Sequence, residues 1–79
     1  MDNKVAVIGI IIKNTAVIPE LNEILSEYDQ FICGRMGLPY EKRDMRVISI
    51  VMDAPADIIG FFTGKITRLN GVTANYVHA

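Results

Sequence analysis

Arg35-Met36-Gly37-Leu38-Pro39 is the stretch of this sequence whose residue types best suit chemistry. A guanidinium is a planar fork of donors that grips carboxylate or phosphate oxygens. Here it leads into a glycine and a proline, which predict a turn. Arg35, Gly37 and Pro39 are therefore candidate anion-binding residues, although a solvated arginine before an ordinary turn explains the same pattern. Tyr40-Glu41-Lys42-Arg43-Asp44 follows with four charges, and Gly37–Asp44 reads as one exposed eight-residue loop of the kind that carries function. Other candidates are weaker. Cys33, the sole cysteine, has no His or Cys near it and reads as a small core residue within a strand. His78 stands alone, one residue from the end. No metal and no cofactor are expected from this pair. Glu20, Glu23 and Glu27 recur at helical steps; paired carboxylates serve acid–base catalysis, but along a polar helix face they solubilise. With no nucleophile–base pair in view, no enzymatic activity is expected. Neither G-x-x-x-x-G-K nor G-x-G-x-x-G occurs.

The elements that must position these residues follow from periodicity. Lys4–Ile12 is β-branched at six of nine positions and almost wholly apolar, which predicts a strand buried on both faces. Asn14-Thr15 supplies a polar break and a cap, and Pro19 restricts the helix start to the neighbourhood of Thr15–Val17. Val17, Leu21, Ile24, Leu25 and Tyr28 form the apolar stripe of a helix ending near Tyr28. Phe31–Met36 reads as a second strand, with Phe31, Cys33 and Arg35 on one face and Ile32, Gly34 and Met36 on the other. Met45–Met52 reads as a third, also apolar on both faces. Asp53-Ala54-Pro55 reads as a helix start, and Ile59, Phe62, Ile66 and Leu69 as the stripe of a helix over Pro55–Asn70. Gly71 then predicts a left-handed stop, and Val72–His78 a final strand. Gly60 and Gly64 each cost about 1 kcal/mol against Ala within that helix, which predicts close packing there.

The order β-α-β-β-α-β predicts an α+β ferredoxin-like sandwich, a four-stranded antiparallel sheet with two helices on one face. In that topology the first and third strands are the inner pair, matching their composition. The other sheet face keeps apolar residues from both strands, so a homo-oligomer, dimer or tetramer, is expected to bury it or to join sheet edges.

The totals agree. Seventy-nine residues, 51% hydrophobic, suit one small domain over residues 1–79. A net charge of −1 gives no case for a nucleic-acid surface, and the third strand lacks the aromatics that stack RNA bases. One cysteine excludes an intrachain disulfide and suits a reducing, cytosolic setting. The eight residues of Val5–Ile12 are too few to cross a membrane, and Asp2 and Lys13 break the pattern of a secretory signal.

Arg35-Met36-Gly37-Leu38-Pro39, the charged segment after it, Met45–Val51, and Ile59-Gly60 with Gly64-Lys65-Ile66 and Leu69-Asn70-Gly71-Val72 together resemble the small regulators of the iron-only hydrogenase system. The resemblance implies an ACT-like domain, related to the C-terminal domain of nickel-responsive transcription regulators. Such domains bind small effectors or metals and assemble into dimers or tetramers, and a transcriptional role is implied. The nickel ligands do not carry over, since one His and one Cys cannot supply the family's several histidines and cysteine. Nor does the glycine turn of amino-acid-binding ACT domains, since Lys13-Asn14-Thr15-Ala16 has none. No ribbon-helix-helix precedes the first strand, so direct DNA binding by this chain is not expected. The expectation is an oligomeric regulatory domain that takes a small-molecule effector between Asn14 and Thr15 and the Arg35, Gly37 and Pro39 turn of a neighbour. The alternative is an interaction module whose Tyr40, Glu41, Lys42, Arg43 and Asp44 dock a hydrogenase maturation protein without a small ligand.

Overall fold

The computed structural model describes residues 2–79. Its strands are β1 (Asn3–Ile12), β2 (Ile32–Tyr40), β3 (Met45–Pro55) and β4 (Val72–His78), and its helices α1 (Ile18–Glu27) and α2 (Ala56–Thr67). All four strands pair antiparallel in the order β2-β3-β1-β4, so β1 and β3 are the inner pair and the topology is ferredoxin-like. β1 is the most β-branched strand, at six of ten positions, and β3 carries Val47, Ile48, Ile50 and Val51; the sheet centre is where such residues find neighbours on either side.

The side-chain period of two divides the sheet into two unlike faces. Ala6, Ile8, Ile10 and Ile12 of β1 and Ile50, Met52 and Ala54 of β3 are buried beneath the helices. Val17, Leu21 and Leu25 close on them from the α1 side, and Ile59, Phe62 and Ile66 from α2. Tyr28 meets the Phe62 ring edge-on with centroids 5.2 Å apart, locking the end of α1 to the middle of α2. On the opposite face the register aligns three rows across all four strands: Gly34-Val51-Val7-Val77, Met36-Ser49-Gly9-Asn75 and Leu38-Val47-Ile11-Thr73. No charged side chain falls in these rows. The expectation that Lys4–Ile12 is buried on both faces is thus corrected for the single chain: Ile8 is 0% exposed and Val7 44%. Two helices cover only one side of a sheet.

Local chemistry explains the connections. Asn14 Oδ1 accepts a hydrogen bond from the Ala16 amide at 3.1 Å and starts a 3-10 turn over Thr15–Val17, and Pro19 lies in the first turn of α1. At the other helix end Gly71 takes φ +77°, and a Cβ there would lie 2.8 Å from the Asn14 Cβ. The Lys13 amide donates to the Gly71 carbonyl at 2.8 Å, so the β1–α1 and α2–β4 connections are tied together. Gly71 is therefore needed both for its left-handed conformation and for that close approach.

Four expectations are corrected. First, Gly37–Tyr40 is not loop: β2 runs on to Tyr40, pairing Gly37 with Ile48, Leu38 with Val47, Pro39 with Arg46 and Tyr40 with Met45. Pro39 is tolerated because β2 is an edge strand with one side free of partners. The connection shrinks to Glu41–Asp44, a 3-10 turn closed by Asp44 at φ 49°. Second, Cys33 is exposed rather than core, because the pairing slips between Ile32 and Gly34 and leaves Cys33 as the extra residue of a bulge. The bulge also puts Ile32 on the face of Arg35, not of Gly34. Third, Asp53-Ala54-Pro55 continues β3, with Ala54 buried against the core, and α2 starts only at Ala56 and ends at Thr67. Fourth, Gly60 and Gly64 pack against nothing: a Cβ at either would meet no atom within 4 Å.

Candidate functional site

The helices sit over β1, β3 and β4 and leave the helix-side face of the edge strand β2 partly uncovered. By register that face carries Ile32, Arg35, Gly37 and Pro39, opposite Met52, Ile50, Ile48 and Arg46 of β3. A groove therefore runs between α1 and β2. Its middle is a cavity of about 270 Å³ bounded by Ile18, Leu21 and Asn22 of α1 and by Gly37, Pro39 and Ile48 on the sheet. The Arg46 side lies at one end. Arg35 lies at the other, where Asn22, Ser26 and Asp29 add polar groups around Leu25 and Ile32. Gly37 contributes no side chain, and that is why the groove has depth in the middle. Two alternating steps separate the Arg35 row from the Arg46 row, a distance of about 13 Å along the strands. Neither arginine forms an ion pair among the described residues. The groove thus offers two uncommitted guanidinium groups at either end of an apolar middle, an arrangement that suits a small anionic molecule with apolar bulk.

The candidates read from the sequence are partly assembled. Arg35 and Gly37 line one stretch of the groove, and Gly37 and Pro39 the next. Thr15 meets Pro39, Tyr40, Glu41 and Asp44 around a shallower depression of about 190 Å³ past the Arg46 end. This meeting takes place within one chain, whereas it was expected between neighbours. Asn14 lies outside these depressions, its side-chain oxygen occupied by the Ala16 amide. Lys42 and Arg43 stand at the exposed hairpin tip. Asn22 and Arg46 were missed as site residues. Asn22 reads as the wet side of a helix, and helical periodicity alone does not say that this side borders an uncovered edge strand. Arg46 was legible: it shares parity with Ile48, Ile50 and Met52, and that parity puts it on the helix side of the sheet.

Among the described residues one ionisable group is perturbed, and it lies elsewhere. Lys65 Nζ donates to Glu27 Oε2 at 2.7 Å and sits 5.3 Å from the Tyr28 ring centroid. The hydrogen bond that Lys65 donates to Glu27 raises the Lys65 pKa above its ordinary value of 10.5. This contact bridges α1 and α2 in solvent and touches no cavity of the groove. Among the described residues no three His, Cys, Asp or Glu side chains gather as a metal set, and no helix is long and apolar enough to cross a membrane.

Comparison with known proteins follows the same lines. No curated protein matches the chain in sequence. The uncharacterized protein TM1266 from Thermotoga maritima has the same fold at a TM-score of 0.93, with 24% identity over 98% of each chain. A formyltetrahydrofolate deformylase from Pseudomonas putida KT2440 contains a similar unit (TM-score 0.69, 13% identity), covering 92% of this chain and 28% of that one. CPII from Thiomonas intermedia K12, a nitrogen regulatory PII-like protein, aligns over 96% of this chain and 91% of its own with TM-score 0.57 and 13% identity. CPII is also known bound to ADP, AMP and acetate, a structure that aligns with TM-score 0.54 and 13% identity over 100% of this chain and 92% of that one. At these identities the likenesses show a shared fold. Membership is shown by sequence: residues 4–75 match the profile of a family described as "Iron-only hydrogenase system regulator, putative", so the chain belongs to the TM1266-like family.

Proposed function

We propose that this chain is a non-enzymatic regulator of the iron-only hydrogenase system that works as a cytosolic homo-oligomer and binds a small anionic effector in the groove between α1 and β2. The observation that carries the reading is the pair Arg35 and Arg46, unpaired at either end of an apolar groove whose floor is opened by Gly37. Pro39 and Thr15 border its far end, and Asn14 holds the β1–α1 turn in place beside it. The distant fold neighbour CPII binds ADP, AMP and acetate, which makes small carboxylates and adenine nucleotides the first ligands to try. An effector here would bridge α1 to the edge strand and so bias contacts made by either element with another subunit. Any transcriptional effect would pass through a separate DNA-binding chain.

The experiment is a thermal-shift and calorimetric screen with acetate, longer carboxylates, AMP and ADP. A ligand specific to the folded state raises the apparent melting temperature, by about 2.7 kcal/mol of added stability at a hundred times its Kd. Arg35→Ala is expected to weaken that ligand at least about tenfold, the order of magnitude for losing one charge-assisted contact. Unchanged binding in Arg35→Ala sinks this site.

A second reading has its own observation: Tyr40–Asp44 is exposed throughout at one end of the sheet, with four charges on a short turn. Those residues suit docking to a hydrogenase maturation protein without a small ligand. A pull-down that survives replacement of Glu41–Asp44 by a neutral two-residue hairpin turn removes it.

A further inference from the structure

The uncovered sheet face is the largest feature the groove leaves unused. Val7, Ile11, Val51, Met36, Leu38 and Val77 stand on it with exposures from 36% to 72%. No charged residue interrupts the three rows that hold them. Four strands about 4.8 Å apart and five alternating positions about 6.7 Å apart, the three uncharged rows and one flanking row at each end where Asp53 pairs with Val5 and Lys13 follows Ile12, give a face of roughly 19 by 30 Å, near 600 Å² per copy and on the order of 1,200 Å² for a pair. That lies at the lower end of specific, stable interfaces, and at the upper end of the largest patch that a monomer leaves open.

We infer that the occupant is a second copy of this chain, packed back to back on the open face about a two-fold axis parallel to the strands between β1 and β3. The inference rests on the homo-oligomeric part of the proposed function and names its interface. The argument is one of shape. A two-fold along the strands keeps each row over itself and exchanges left for right, so β2 lies over the partner's β4 and β3 over its β1. In the first row the glycine at position 34 then faces the valine at position 77 of the second copy, the more exposed of the two large hydrophobic residues that β4 leaves open. In the middle row Met36 faces the asparagine and Ser49 the glycine of the second copy. In the last row Leu38 faces the threonine. Every large residue on an edge strand meets a smaller one, and the two inner strands meet as valine on valine and isoleucine on valine. Two sheets at the usual separation of about 10 Å accommodate side chains of this size. The three central rows carry no charge with which to select a differently charged partner, whereas self-packing needs only this complementarity. The assembly has four layers, helices outside and sheets inside, and it leaves both α1–β2 grooves open to solvent.

The test measures native mass by sedimentation equilibrium on the full chain and on two variants. Val7→Lys and Val51→Glu each place one charge on the face and leave the core untouched, so far-UV circular dichroism stays at the parent's value. The parent chain is expected at twice its 8.8 kDa mass at micromolar concentration. Each variant alone is expected to associate at least about tenfold more weakly, since a lone charge is stranded in an apolar interface. Mixed in equal amounts they are expected to recover association, because position 7 of one copy faces position 51 of the other. An oligomer whose mass ignores both substitutions, or a mixture that fails to recover, overturns the back-to-back face while leaving an edge-joined oligomer standing. A parent chain that stays at 8.8 kDa overturns the oligomer altogether. Either failure is separate from that of the effector groove, which is read by ligand binding in Arg35→Ala.

Discussion

The two faces of the sheet are built from the same kinds of residue and have opposite fates. On β1 the helix-side residues Ala6, Ile8, Ile10 and Ile12 are each 0% exposed, while Val5, Val7 and Ile11, one position away, are open to solvent. Composition does not distinguish Ile10 from Ile11. What distinguishes them is which side the two crossovers take, and right-handed β-α-β connections put both helices on the same side. The lesson is that an apolar strand reports a need for burial on both faces, and a chain of this size satisfies only one of them internally.

Substitutions on the two faces break this comparison apart. The largest effect is expected at Phe62, fully buried at the centre of the core and in contact with the Tyr28 ring: Phe62→Ala should lose about 3–5 kcal/mol in urea unfolding. Next is the pair Ile8→Ala and Val7→Ala, adjacent residues on opposite faces. Ile8→Ala should cost about 2–5 kcal/mol at every protein concentration, because its contacts lie within the chain. Val7→Ala should cost less than about 1 kcal/mol, and its cost should grow with protein concentration if the open face is an interface. Equal, concentration-independent losses would mean that the two faces are not energetically distinct. Smallest is Gly60→Ala, on the outer side of α2. Its new Cβ meets nothing, so the helix should gain about 1 kcal/mol, and a loss instead would show that the smooth helix surface has a use in an assembly.

Much of this architecture was legible. The centrality of β1 and β3, the apolar stripes of both helices, the stop at Gly71 and the open apolar face all follow from period and composition. The resemblance to regulators of the iron-only hydrogenase system agrees with the family matched over residues 4–75. The candidate site was legible only in part. Arg35, Gly37 and Pro39 were singled out as a turn, and they turned out to be three same-face residues of an edge strand. Glycine and proline in sequence mark a turn and an edge strand alike, because both need only freedom from a hydrogen-bonded neighbour, and which one results depends on pairing with β3. Gly60 and Gly64 misled for a different reason: small residues within a helix suggest close packing, but the stripe of Ile59, Phe62, Ile66 and Leu69 already puts both glycines on the opposite, outward side.

Residue type and spacing by themselves determined which segments are strands and helices, where the chain must stop a helix, and that more apolar surface exists than two helices can cover. Those properties are local, set by side-chain period, backbone conformation and area. Only the tertiary structure decided that β2 extends to Tyr40, that the bulge turns Cys33 outward, and that Asn22, Arg35 and Arg46 border one groove. Those properties depend on register between strands far apart in sequence and on where a helix lies across a sheet, and neither is written in any one segment.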